Sequence, residues 1–289
     1  MTAPSDWPRE RAFSRVLRRL RCQHRVAMIK TARSCIFCDA PADRHEHLLP
    51  RWLQSVLPSE DPALHYRQIG TDESERQEWV RQPFRETARV VCEACNSGWM
   101  SNLEQASKPL LTPLIMRTEP LVQLPPNTQR IVATWAFKTI LVFQASQGES
   151  VAPPFHCAFL RAHRVPPAQV FLWISSNYGA RFNDAAMAYV QRPLTLTSPD
   201  GRFEDVNDFG YTAFLAIGSV SFVLIGHRYR NQVDVKIGNM MTDALTRLWP
   251  ASDGQISWPP ELMMDKQLVD TLFIPVTPPT LDVRVSSVA

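Results

Sequence analysis

The chain has no apolar run long enough to cross a bilayer. Its best stretches, Ile131 to Phe143 and Ala213 to Ile225, reach about 13 residues against the roughly 20 that a span requires, and Lys138 interrupts the first. Glycine is scarce, 10 in 289 residues, and no Gly-rich phosphate loop, GxSxG, Walker or dinucleotide-binding pattern occurs, which removes several common enzyme classes. An apolar signal core is also missing from the N-terminus. That segment is Arg-rich and amphipathic, as organelle presequences are, but Asp6 and Glu10 weigh against an organelle address. A cytoplasmic location and no membrane partner are therefore expected. Neither charge sign dominates: Lys+Arg 31 against Asp+Glu 28 leaves +3, too little to identify a nucleic-acid binder by itself.

The charge is unevenly placed. Residues 1–40 carry nine Arg/Lys against three carboxylates, a net +6, leaving about −3 for the rest, so contact with a polyanion is expected near the N-terminus. Asp6 can cap a helix and Pro8 suits its first turn. Phe13, Val16, Leu17 and Leu20 then recur at helical spacing beneath Arg11, Arg15, Arg18, Arg19 and Arg25, which predicts a basic amphipathic helix over 7–28 within a 1–33 segment. Its cationic face serves either as an ordinary solvated surface or as a phosphate contact.

Six cysteines stand at 22, 35, 38, 92, 95 and 157. At this length, in a reducing compartment, a disulfide scaffold would be unusual. Cys22 and Cys157 read as small buried hydrophobes. The other four form two CxxC pairs, Cys35-Ile36-Phe37-Cys38 and Cys92-Glu93-Ala94-Cys95. Each tight turn can aim two thiolates at one point, and two such turns complete a tetrahedral Cys₄ site for structural zinc. The alternative is reduced thiols in two unliganded turns. The separation of the pairs exceeds that of a compact zinc ribbon, so further chain is inserted between the knuckles.

Between the pairs lies Arg44-His45-Glu46-His47-Leu48-Leu49-Pro50, with Glu46 and His47 adjacent. On an extended strand neighbouring side chains point to opposite faces, so a bulge or local twist would be needed for both to reach one ion. Asn96 follows Cys95 directly, and Leu103, Glu104 and Leu110 predict a helix leading away from the metal. Residues 70–85 are polar and suit an exposed loop or edge strands. Pro109, Pro113, Pro120, Pro125 and Pro126 mark a connector over 109–126. A second region, 127–289, opens with a helix from Asn127 to about Ser146. Short β-like runs follow at Val170 to Ser175, Ala188 to Val190, Tyr211 to Ile217 and Ser221 to Gly226, with helices expected at Met240 to Leu248 and Gln267 to Leu272. Trp249-Pro250 and Trp258-Pro259-Pro260 read as packing of the C-terminal tail or as an aromatic platform. His24, His65, His156, His163 and His227 have no partner at a telling spacing.

Taken together, Cys-x-x-Cys, Glu-His-Leu-Leu-Pro and Val-Cys-x-x-Cys-Asn resemble the treble-clef form of the HNH (ββα-metal) endonucleases over residues 34–108. The resemblance implies a zinc-stabilised ββα-metal domain over that segment; with the basic helix read before it and the β-like runs after it, the expected chain is α+β, its 127–289 domain having antiparallel strands. It implies His47 as the general base that activates water. Glu46 and Asn96 would be ligands of Mg²⁺ or another divalent metal at a scissile phosphate of DNA. Two positions depart from the family pattern: Thr87 stands where the middle Asn is usual, and Trp99 where Lys or Arg is frequent.

Two functions follow as expectations. One is a metal-dependent DNA endonuclease in which Arg44, Arg51, Arg81, Arg85, Arg89 and the N-terminal helix meet phosphates. The other, favoured by Thr87, is a catalytically inactive zinc-stabilised module that binds nucleic acid or protein; for it His47 is a structural imidazole, and His45 an exposed neighbour. The role of residues 127–289 and the oligomeric state do not follow from the sequence.

Overall fold

The Arg44–His47 strand (β1) pairs antiparallel with Thr87–Val91 (β4), with Glu46 opposite Ala88 and His47 opposite Thr87. The register shifts between Arg44 and Glu46: Arg89 and Val90 of β4 stand opposite the single residue His45, so the bulge is on β4 and not at the Glu46–His47 step. A 3-10 helix over Arg51–Ser55 follows Pro50, and its Leu53 is buried. A second hairpin joins Leu64–Gln68 (β2) to Gln77–Arg81 (β3). The computed structural model describes residues 33–57, 64–68, 77–81, 86–147, 152–177, 187–194, 210–228, 234–235, 243–264 and 283–284. The helices expected at 7–28 and 267–272 lie outside these.

After β4 the chain makes a helical turn, Glu93–Cys95, then a wider turn, Asn96–Met100, which kinks at Gly98. It continues as helix α1, Ser101–Met116. This corrects the expected connector, because Pro109 and Pro113 lie inside α1. Each proline removes one backbone hydrogen bond. Burial of Leu111, Leu114 and Ile115 offsets that loss, since packing of an apolar face carries most helical stability in a folded protein. The helix stops at Arg117, which takes a left-handed conformation (φ 50°) and returns its N–H to the Pro113 carbonyl.

Helix α2, Pro126–Ser146, has Pro125 at its cap and Pro126 in its first turn, one residue ahead of the expected start. Every residue from Val132 to Gln144 is buried, Lys138 among them. A helix covered on all sides is a central one. Strand β5 (Val122–Leu124) precedes it, and helix α3 (Pro154–His163) follows.

The main sheet has five antiparallel strands in the order β11-β6-β9-β8-β7: Thr246–Trp249, Val170–Ser176, Val220–His227, Gly210–Ile217 and Met187–Leu194. The four β-like runs read from the sequence all fall on these strands. At the tight β8–β9 turn Gly218 has φ +57°, and a Cβ there would meet the Ile115 carbonyl oxygen at 2.6 Å, so only glycine fits. Thr246–Trp249 is a strand where a helix was expected. It pairs antiparallel with β6, with Leu248 buried, while Arg247 lies over Phe171 and Trp173 of that strand. Smaller ladders pair Ile256–Trp258 (β12) with β5, and Asp234–Val235 (β10) with Val283–Arg284 (β13). Trp258 is fully buried, and its indole donates to the Ser175 carbonyl at 2.8 Å, so this aromatic is part of the packing.

Residues 34–289 form one compact unit. A single hydrophobic core runs from Cys35, Phe37 and Leu49, through Trp135 and Phe137 of α2, to Leu172 and Leu224 of the sheet. The fold is α+β with antiparallel sheets. Among the described residues, no helix is long and apolar enough to cross a membrane.

Candidate metal centre and adjoining acid-imidazole site

The first cysteine pair closes a tight loop. Cys38 and Asp39 both donate their N–H to the Cys35 carbonyl (3.3 and 3.0 Å), and Asp39 takes a positive φ of 60°. Ile36 N–H bonds the Val90 carbonyl at 2.9 Å, which ties this loop to β4. The second pair opens the helical segment: Cys92 is in extended conformation at its cap, and Asn96 N–H returns to the Cys92 carbonyl at 3.0 Å. Asp43 accepts the Glu93 N–H at 3.1 Å, so a carboxylate from the β1 side caps this turn. Arg44 adds an ion pair to the Glu93 side chain.

These two loops bring all four sulfurs within 4.8 Å of one another. Cys38 Sγ lies 3.5 Å from Cys92 Sγ and 3.7 Å from Cys95 Sγ. A zinc with bonds of about 2.3 Å sets its sulfurs about 3.8 Å apart, so the cluster fits a tetrahedral ion of that size. Cys35, Cys92 and Cys95 are buried. Burial raises the Cys35 thiol pKa and pushes that of Cys95 to about 12. At Cys38 the same burial effect is outweighed by the Ala40 backbone amide and the neighbouring sulfurs, and the pKa falls. Four crowded sulfurs cannot all ionise without a compensating cation, and a bound metal supplies it. Cys35, Cys38, Cys92 and Cys95 could therefore hold a metal ion such as zinc. Among the described residues this is the one group of three or more His, Cys, Asp or Glu side chains placed to do so.

The acid-imidazole step sits beside this centre on β1. The Asn96 side chain lies near enough to the Glu46 carboxyl to favour its ionised form. Burial raises the Glu46 carboxyl to a pKa of about 7, against the opposing charge of Lys138. Glu104 adds to the rise, while Asn96 and Arg51 lower it. His47 sits one residue further along the strand, and its Nε2 accepts the Arg51 Nε–H at 2.9 Å. Because the bulge lies on β4, opposite His45, the Glu46–His47 step keeps regular pairing, which directs the two side chains to opposite faces. His45 takes the Arg89 Nε–H on Nε2 at 2.7 Å and shares a 3.3 Å hydrogen bond with the Thr87 hydroxyl. Thr87 is thus opposite His47 in the ladder, while its hydroxyl serves His45.

Sequence reasoning missed the group behind Glu46. Glu104 on α1 accepts the Trp52 indole N–H at 3.0 Å and the Trp135 indole N–H at 2.8 Å through one oxygen. Its other oxygen is ion-paired with Lys138 of α2, which is only 2% exposed. The visible signal was Lys138 itself, a cation in an otherwise apolar run. Of the proposed phosphate contacts, Arg44, Arg51 and Arg89 lie around the β1–β4 hairpin, with their guanidinium groups on Glu93, His47 and His45. The Arg81 side chain, Arg85 and the 7–28 helix lie outside what is described. Trp99 makes a T-shaped contact with Phe37 (centroids 5.0 Å apart, planes at 87°) and takes the guanidinium of Arg164 over its ring at 4.8 Å. A cation therefore does reach this position, from α3 rather than from the motif.

No protein-family model, no curated protein and no solved structure matches this chain.

Proposed function

We propose that this chain is a zinc-stabilised, metal-dependent DNA endonuclease of the HNH, treble-clef kind. The observation that carries the reading is the four-sulfur cluster formed by two CxxC loops that flank an antiparallel hairpin, with the Asn96 side chain near the Glu46 carboxyl beside it. In this reading zinc is held by Cys35, Cys38, Cys92 and Cys95 and fixes the second loop, hence Asn96, against β1. Glu46 and Asn96 offer a carboxylate and an amide oxygen, the hard donors that Mg²⁺ takes alongside substrate phosphate. A divalent ion held there would neutralise charge developing on the departing oxygen.

The protein's own groups supply the rest. His47 takes the proton from the attacking water, as a neutral imidazole can near pH 7. Arg51 must release the His47 Nε2 lone pair for that step, and its guanidinium is then available to a phosphate. The charges of Lys138 and Glu104 act on Glu46 in opposite senses, the first favouring its ionised form and the second opposing it.

The test is plasmid cleavage with Mg²⁺, Mn²⁺ or Ni²⁺. Wild type should nick or cut only with added metal, and His47→Ala should lose at least 10²-fold of that rate. Metal-dependent nicking that survives His47→Ala would remove the mechanism. A second reading, a non-catalytic binding module, is favoured by the Arg51 hydrogen bond that occupies His47 and by Thr87 opposite it. Salt-sensitive DNA binding without cleavage under any of the three metals would select it.

A further inference from the structure

The groove between the first turns of α1 and α2 and the end of α3 is a cavity of about 540 Å³. Its floor is apolar, with Leu103, Ile131 and Val165, and its rim carries Arg130, His163 and Arg164. None of the described residues that line it is acidic. The adjacent Glu104 carboxylate is already committed to two indoles and Lys138. An apolar basin with a cationic rim selects an anion that also carries a flat, weakly polar body.

Arg164 is set up for that body. It is left-handed (φ 59°) at the end of α3, its N–H closes on the Leu160 carbonyl at 2.9 Å, and its carbonyl accepts the Thr134 hydroxyl of α2 at 3.2 Å. Its guanidinium lies over the Trp99 ring at 4.8 Å and also reaches the Arg161 carbonyl. The plane of an exposed guanidinium so braced is a stacking platform for a nucleobase, as aromatic rings are. Arg130 stands one turn into α2, and Asn127 in that helix's first turn borders the same cavity, where backbone N–H groups lack helical partners. The basin volume lies in the range of small-ligand sites.

We propose that this cavity seats one unpaired nucleotide, its phosphate between Arg130 and the start of α2 and its base on the outer face of Arg164. The proposal rests on the nucleic-acid reading above but requires no catalysis. The nucleotide's chemistry is the same whether it belongs to a single strand or is free, and the experiment separates the two.

Fluorescence anisotropy of a labelled 12-nucleotide single strand, without added divalent metal, measures binding independently of cleavage. The same strand as a duplex, and free deoxynucleoside monophosphates as competitors, complete the set. Arg164→Asn, which retains the left-handed conformation, and Arg130→Gln, at an exposed position, should each weaken single-strand binding about tenfold with zinc content unchanged. The duplex should bind more weakly than the single strand and respond little to Arg164→Asn. Competition by a monophosphate at comparable concentration, lost in the same variants, assigns a free nucleotide to the site; no such competition assigns a strand. Single-strand binding that both variants leave intact, or duplex binding as tight as single-strand binding, overturns the proposal. Plasmid cleavage by wild type is read separately, so failure of the nuclease reading leaves this result standing, and the reverse.

Discussion

Lys138 of α2 is ion-paired with Glu104 of α1 across the helix crossing, and the charges of both act on the carboxyl of Glu46. Lys138 is almost wholly buried, so removing it leaves Glu104 with an uncompensated charge among indoles. Lys138→Met should therefore cost about 3 kcal/mol of unfolding free energy by urea denaturation. The double variant Lys138→Met/Glu104→Gln should recover part of that cost, because the isolated charge is gone. Equal losses in the single and double variants would show that the pair is not what stabilises the crossing.

Glu46 gives a pH signature of opposite sign to an ordinary surface carboxylate. Its pKa rises from 4.5 to about 7 in the folded chain, chiefly through burial. Between those values the folded state holds the proton longer than the unfolded state, so stability falls as pH rises from about 4.5 to about 7, and the loss is complete above it. Glu46→Gln should abolish this and stabilise the protein at pH 8 by on the order of 2 kcal/mol in the absence of added divalent metal. Under the proposed function, Mg²⁺ or Mn²⁺ stabilises wild type at pH 8 and does not stabilise Glu46→Gln. Thermal scans with and without the metal decide it, and an equal response of both proteins would remove Glu46 as a ligand.

Local signals explain what was legible in the sequence. The two CxxC loops are set by spacing alone, and the β-like runs at 170–175, 211–217 and 221–226 are β-branched, aromatic and bounded by turn residues. Pro109 and Pro113 read as breakers because proline's local cost is visible in sequence, whereas the apolar face it is set against becomes apparent only when α1 packs on α2. Thr246–Trp249 misled for a related reason: a short apolar segment has no period of its own until a neighbouring strand supplies one. Glu104 and Lys138 are 34 residues apart, and only the crossing of α1 and α2 makes them partners. Glu46 and Asn96 were read as partners through the resemblance, and the fold brings their side chains together.

The cysteine cluster gives a prediction that needs no activity. Elemental analysis should find about one zinc per chain, and Cys92→Ser should lower that content. Cys35, Cys92 and Cys95 belong to the same core as α2 and the sheet. Chelation should therefore lower the thermal midpoint of the cooperative transition, rather than loosen a separate lobe. Because the ligands must be deprotonated, metal retention should weaken as pH falls. Unchanged zinc content in Cys92→Ser would contradict the assignment.

His156 supplies an acid-side test at a residue outside the candidate site. It is fully buried on α3 and shares a 2.8 Å hydrogen bond with the Tyr211 hydroxyl. Burial, then the neighbouring His227, push its pKa from 6.5 down to about 3. The unfolded chain protonates this imidazole near pH 6.5, while the folded chain keeps it neutral to about pH 3, so the unfolded state binds more protons throughout that window. Stability is fully present above pH 6.5 and declines as pH falls towards 3. The decline attributable to His156 is about 3 kcal/mol between pH 6.5 and 4. His156→Gln keeps a polar side chain of similar reach without the titration. It should be less stable than wild type at pH 7.5, where the Tyr211 contact is disturbed, yet lose less on acidification. Urea midpoints at pH 7.5, 5.5 and 4 give both slopes, and parallel slopes would show that the acid sensitivity comes from other groups.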